Sequence, residues 1–119
     1  MSYRAVRFSP VRTAGILAVV LVGGTAAAAA YSRISRVPAF DTETWSVPVP
    51  YGRSRIIVDG DGDTNLDCYV HDTRGRLLGK DDGDTDHCVV GITRRRRENV
   101  RVKVINLGYV YNRYELRVE

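Results

Sequence analysis

From Trp45 almost to the end of the chain, apolar and polar residues alternate with a period of two. This is the pattern of strands with one buried and one solvated face. Trp45, Val47 and Val49 alternate with Ser46, Pro48 and Pro50. Proline cannot donate to a ladder, so this segment predicts an edge strand. A turn over Tyr51–Ser54 leads to a second strand, Arg55–Asp59, and Leu66, Cys68 and Val70 alternate with Asp67, Tyr69 and His71 in a third. Asp72–Gly75 predicts a tight turn into a short fourth strand, Arg76–Gly79, and Lys80–Asp86 an acidic loop. Cys88, Val90 and Ile92 mark a fifth strand, Arg94–Asn99 a charged connection, and Val100, Val102 and Val104 a sixth strand. Tyr114, Leu116 and Val118 mark the last. No segment after residue 30 has a helical period. Seven to eight short strands separated by turn signals predict an all-β fold, an antiparallel β-sandwich.

The start of the chain follows another pattern. Arg4, Arg7 and Arg12 precede an apolar run, Ala14–Val22, and Ala26–Ala30 offers Ala-x-Ala frames. Residues 1–30 therefore read as a signal peptide, which predicts an exported protein, periplasmic or extracellular. The stretch Ala14–Ala30 is 17 residues of mostly Ala and Gly, short of the ~20 strongly apolar residues of a spanning helix. Cleavage leaves no stable membrane span, and retention would leave an N-terminal anchor. Residues 31–42 have no period and read as a flexible linker, with 43–119 as the folded domain.

The leader changes the charge balance. Three of the 18 Lys+Arg lie in it and none of the 14 Asp+Glu, so the remainder carries 15 basic against 14 acidic side chains, a net of +1. The basic excess is a targeting signal and gives no warrant for nucleic-acid binding. Cys68 and Cys88 are the only cysteines, and an oxidising compartment makes a disulfide their default state. A zinc site would need His71 and His87 beside them, but strand alternation sends each histidine to the opposite face. The same alternation argues against a catalytic thiol.

The densest chemistry is acidic. Asp59, Asp61, Asp63 and Asp67 fall within nine residues, and Asp81, Asp82, Asp84 and Asp86 form a second cluster. Calcium takes six to eight oxygens from such groups, so these eight carboxylates are its candidate ligands. The spacing fails as an EF-hand, because Thr64 and Val70 stand where Gly and Glu are required. In an extended segment Asp59, Asp61 and Asp63 stand roughly 7 Å apart, too wide to share an ion. Gly60 and Gly62 allow a bend. The alternative is that Asp and Asn cap turns through side-chain to backbone hydrogen bonds. A Cys68–Cys88 bridge holds the two acidic loops together in either case.

Gly60–Asp72 (Gly-Asp-Gly-Asp-Thr-Asn-Leu-Asp-Cys-Tyr-Val-His-Asp), Asp84–Val90 and the ending Val104–Leu116 resemble, in that order, bacterial pre-peptidase C-terminal domains. The resemblance covers about residues 44–119. It implies a jelly-roll-like β-sandwich, secreted and appended to an enzyme, often a protease, as a non-catalytic module; some relatives bind collagen or calcium. The chain departs from that family in carrying no enzyme and in having Arg94–Arg97 where relatives tend to have a Pro- and Gly-containing hairpin.

Arg94, Arg95, Arg96 and Arg97 form a candidate anion patch, for lipopolysaccharide, a membrane or another polyanion, or else a solvated hairpin. Tyr109, Tyr111 and Tyr114 with Trp45 offer an aromatic strip for a peptide or glycan, or else cover the end of the sandwich. There is no Gly-x-Ser-x-Gly elbow and no His-Glu-x-x-His. The expected function is a non-catalytic interaction or accessory module for a protein or polysaccharide surface. The alternatives are a calcium-binding structural or adhesion domain and an accessory to a secreted protease.

Overall fold

A computed structural model describes residues 31–119, so the expected leader lies outside the described residues. Eight strands follow one another: β1 (Tyr31–Val37), β2 (Thr42–Val49), β3 (Gly52–Asp59), β4 (Leu66–His71), β5 (Leu77–Asp81), β6 (His87–Arg94), β7 (Glu98–Asn106) and β8 (Asn112–Val118). They form two antiparallel four-stranded sheets, β1-β8-β3-β6 and β2-β7-β4-β5. The first strand pairs with the eighth, the second with the seventh, the third with the sixth and the fourth with the fifth. This is a long hairpin wrapped into two layers, the strand order of a jelly roll.

Strand alternation builds the core. Val47, Val49, Leu66, Val70, Val100, Val102 and Val104 face inward from one sheet. Val37, Ile56, Val58, Val90, Tyr114, Leu116 and Val118 meet them from the other. Cys68 on β4 and Cys88 on β6 form a disulfide with Cα atoms 6.2 Å apart, and each is 1% exposed. The bridge thus joins the two sheets through the core. A cross-link spanning 20 residues removes about 3 kcal/mol of unfolded-state entropy on the chain-entropy model.

The expected linker is a strand. Residues 31–37 run along β8 from Tyr31↔Val118 to Val37↔Asn112. Its inward phase, Tyr31, Arg33, Ser35 and Val37, interleaves polar with apolar residues, which hides the period. Those polar residues have cross-sheet partners: Arg33 lies 4.1 Å over the Trp45 ring and Ser35 donates to Glu43. Smaller shifts concern the ends of elements. β3 begins at Gly52 rather than after a turn, and β5 runs from Leu77 to Asp81, into the expected acidic loop. β6 and β7 extend until only residues 95–97 lie outside strands.

The β3–β6 register runs from Asp59↔His87 to Gly52↔Arg94, a separation of about 23 Å along the strands. The β3–β4 and β5–β6 loops, which hold the aspartates, lie at one end. The β4–β5 turn and the 95–97 connection, which crosses from one sheet to the other and with that turn holds the arginines, lie at the other.

Candidate functional site

At the acidic end the two loops are laced by backbone amides. Gly60 N donates to Asp86 O at 2.9 Å, and Gly62 N to Asp86 Oδ2 at 2.6 Å. A Cβ on Gly60 would stand 2.2 Å from Asp86 Oδ2 and 2.7 Å from Asn112 Oδ1, so a larger residue displaces the side chains that join the loops. Asp61 accepts from Asp63 N through one oxygen and from Arg113 N through the other. Asp81 likewise accepts from Gly83 N and Val89 N. Asp59 pairs with Arg117 at 2.7 Å and with His87. The Arg117 hydrogen bond holds its carboxyl below the usual range, against the upward push of burial and with help from His87. Asp82 pairs with Lys80 at 3.1 Å, while Asp63 and Asp84 are exposed.

Asn112, fully buried at the start of β8, holds both loops. Its Nδ2 donates to Asp86 Oδ2 and Thr64 Oγ1 at 3.0 Å and to Thr64 O at 3.3 Å; its Oδ1 accepts from Asp61 N. Asn106 does the same for the neighbouring loops, donating to Val37 O, Pro38 O and Val110 O and accepting from Gly108 N. Sequence reasoning singled out neither as a site residue. The available signal was an Asn in the inward phase of a strand, where a polar group must find partners.

The acidic run is therefore built as capped turns. Asp61, Asp81 and Asp86 direct oxygens at amides of the loops, and among the described residues no group of three or more His, Cys, Asp or Glu is placed to hold a metal ion. Asp67 stands apart. Its Oδ1 is buried with no hydrogen-bond partner, and burial, followed by the charges of Asp82 and Asp81, raises its pKa.

The opposite end gathers cations. The Asp72–Gly75 turn is closed by Gly75 N to Asp72 O at 3.0 Å, with Gly75 at φ 88°. Asp72 Oδ1 accepts from Arg74 N and Arg76 N, and these amides keep its pKa low. The turn faces the β6–β7 connection, which crosses between the sheets and so is not the expected hairpin, over a cleft of about 470 Å³ lined by Arg76, Thr93, Arg94, Arg95, Arg96 and Glu98. Arg74 and Asp72 line its continuation. Glu98 anchors Arg94 and approaches Arg96 at 3.6 Å. Arg97 turns away, against Pro48, Val49 and Pro50. Three of the four arginines of the expected patch thus share one cleft, and Arg74 and Arg76 join them from 20 residues upstream.

The aromatic strip divides. Tyr114 is core, donating to Glu43 and accepting from Trp45 Nε1 at 2.7 Å. Tyr109 and Tyr111 are exposed. A scan against protein-family models finds no match for the chain, and a search of curated proteins finds none either.

Proposed function

We propose that this chain is a non-catalytic, exported interaction module whose arginine end binds a polyanionic polysaccharide surface. The observation that carries this is the cleft: the β4–β5 turn of one sheet and the β6–β7 connection between the sheets bring Arg74, Arg76, Arg94, Arg95 and Arg96 against only Asp72 and Glu98. Guanidinium forks match phosphate, sulfate and carboxylate groups bidentately, and an open, arginine-lined cleft suits a repeating anion better than an enclosed small molecule. The cross-sheet disulfide supports export, since such bonds persist in oxidising compartments. The reading also agrees with the non-catalytic role that the resemblance to pre-peptidase C-terminal domains implies.

The test is elution from a heparin matrix. Arg95→Glu combined with Arg96→Glu, and separately Arg74→Glu combined with Arg76→Glu, are expected to elute at markedly lower salt than the wild type. Elution of both variants with the wild type, or a wild type that flows through at low salt, ends the proposal.

A further inference from the structure

The loops beside the acidic end carry an exposed apolar tip. The β1–β2 turn presents Phe40 and the β7–β8 loop presents Tyr109, which are 61% and 87% exposed. Their rings meet edge to face, centroids 4.9 Å apart at 86°. Leu107 and Val110 are exposed in the same loop, and at its edge the Arg36 guanidinium lies 4.8 Å over the Tyr111 ring. Phe40 has a φ of 57°, a left-handed conformation that bulky side chains rarely adopt. Its backbone is held there by Phe40 N to Gly108 O at 3.2 Å and Asp41 N to Pro38 O at 3.1 Å. Glycine or asparagine would occupy this position with less strain. The ring so displayed keeps only its contact with Tyr109, and strained backbone of this kind clusters where a surface makes contact.

The surroundings select the partner. Leu107 N donates to Asn65 O and Arg113 N to Asp61 Oδ2, so the aromatic tip sits directly beside the acidic loops. Residues 59–86 hold nine aspartates against Arg74, Arg76 and Lys80, and two of those three cations lie at the far end. The tip therefore suits a surface that carries exposed apolar side chains among cations. The far end of this same domain is such a surface. Tyr51, 74% exposed, precedes Gly52, which pairs with Arg94, and Leu77, 47% exposed, follows Arg76, so both lie at the arginine end.

We propose that the domain associates head to tail, the Phe40–Tyr109 tip and acidic loops of one copy seated on the arginine end of the next. The two surfaces lie at opposite ends of the strands, so the contact is heterologous and does not close on itself in a dimer. It propagates as an open chain. The contact is small and charged at its rim, so it is weak, concentration-dependent and salt-sensitive.

Sedimentation velocity on the purified protein tests this, with two variants that each remove one end. The head variant is Phe40→Gly with Tyr109→Ser, and the tail variant is Arg95→Glu with Arg96→Glu. Wild type at up to about 1 mM protein, the scale of a weak contact, is expected to gain weight-average mass with concentration at low ionic strength and to return to monomer in high salt. Each variant alone is expected to remain monomeric, and their equimolar mixture to recover a dimer and nothing larger. Phe40→Gly relieves backbone strain, so the head variant is expected to melt no lower than wild type, which separates lost contact from lost fold. A monomeric wild type, a variant that still assembles, or a mixture that stays monomeric overturns the proposal. Wild type that is monomeric yet retained on heparin loses the head-to-tail contact while leaving the polysaccharide reading intact.

Discussion

Replacing Asn112 is the sharpest probe of how the acidic end is built. Asn112→Ala removes one acceptor and a two-proton donor that serves three oxygens, two of them on Thr64 and one on Asp86. That is about three independent bonds, each worth about 1 kcal/mol net, so the expected loss is about 3 kcal/mol. At the average unfolding entropy per residue, a domain of this size shifts by about 5 °C per kcal/mol, which places the variant's Tm about 15 °C lower. Urea and thermal unfolding of the purified protein measure both quantities. Asn112→Asp refines the test. It keeps the acceptor for Asp61 N but loses the donors and sets a buried carboxylate beside Asp86. Burial and that neighbour raise the new group's folded pKa above its unfolded value. It therefore costs stability at neutral pH, and its deficit relative to wild type shrinks as pH falls through the raised value. A loss below about 1 kcal/mol for Asn112→Ala, or an Asn112→Asp deficit that grows on acidification, would refute the view that Asn112 ties the loops.

Two further outcomes follow from the same loops. Since the carboxylates of Asp61, Asp81 and Asp86 are directed at amides, calorimetric melts in millimolar calcium and in chelator are expected to coincide; a clear upward shift with calcium would show that the loops rearrange into a cage. Asp67 has a raised pKa from burial and the Asp82 and Asp81 charges, so its proton is held more tightly folded than unfolded. Its ionised form is a cost that appears as pH rises through the folded value. Asp67→Asn should thus stabilise the protein at pH 7 by about 0.5–1 kcal/mol and lose that advantage in acid below the ordinary aspartate range. Equal or lower stability at pH 7 would count against it.

The outward face of β3 and β8 shows the opposite sign. Asp59 and Glu119 share Arg117, whose hydrogen bonds to Glu119 and then to Asp59 raise its own pKa and lower theirs. Their contribution is present above the ordinary carboxylate range and fades as pH falls through their depressed values. Through this network Asp59, at the start of the acidic loops, meets Arg117 of β8.

Period-two alternation alone was enough to place β2, β4, β6, β7 and β8, because a half-buried strand must separate its faces by residue type. It was also enough to put both cysteines on the core face. β1 escaped, since Arg33 and Ser35 occupy inward positions and find Trp45 and Glu43 only once the sheets are stacked. The acidic run was legible as either a metal loop or capped turns. Composition could not choose between them, because the same carboxylates serve both.

Alternation along the chain was thus sufficient for fold class, strand number to within one, the phase of most faces and the pair of sulfurs available for a bridge, all of which depend on neighbours in sequence. The tertiary structure decided what depends on distant pieces. It directed Asp86 and Asp61 at amides 24 and 52 residues away, joined Arg74 and Arg76 to the arginine-rich β6–β7 connection, and held Phe40 against Tyr109. It also sorted opposite charges to opposite ends of the strands. Such groupings follow from which turns share an end of the sandwich, and local periodicity carries no record of that.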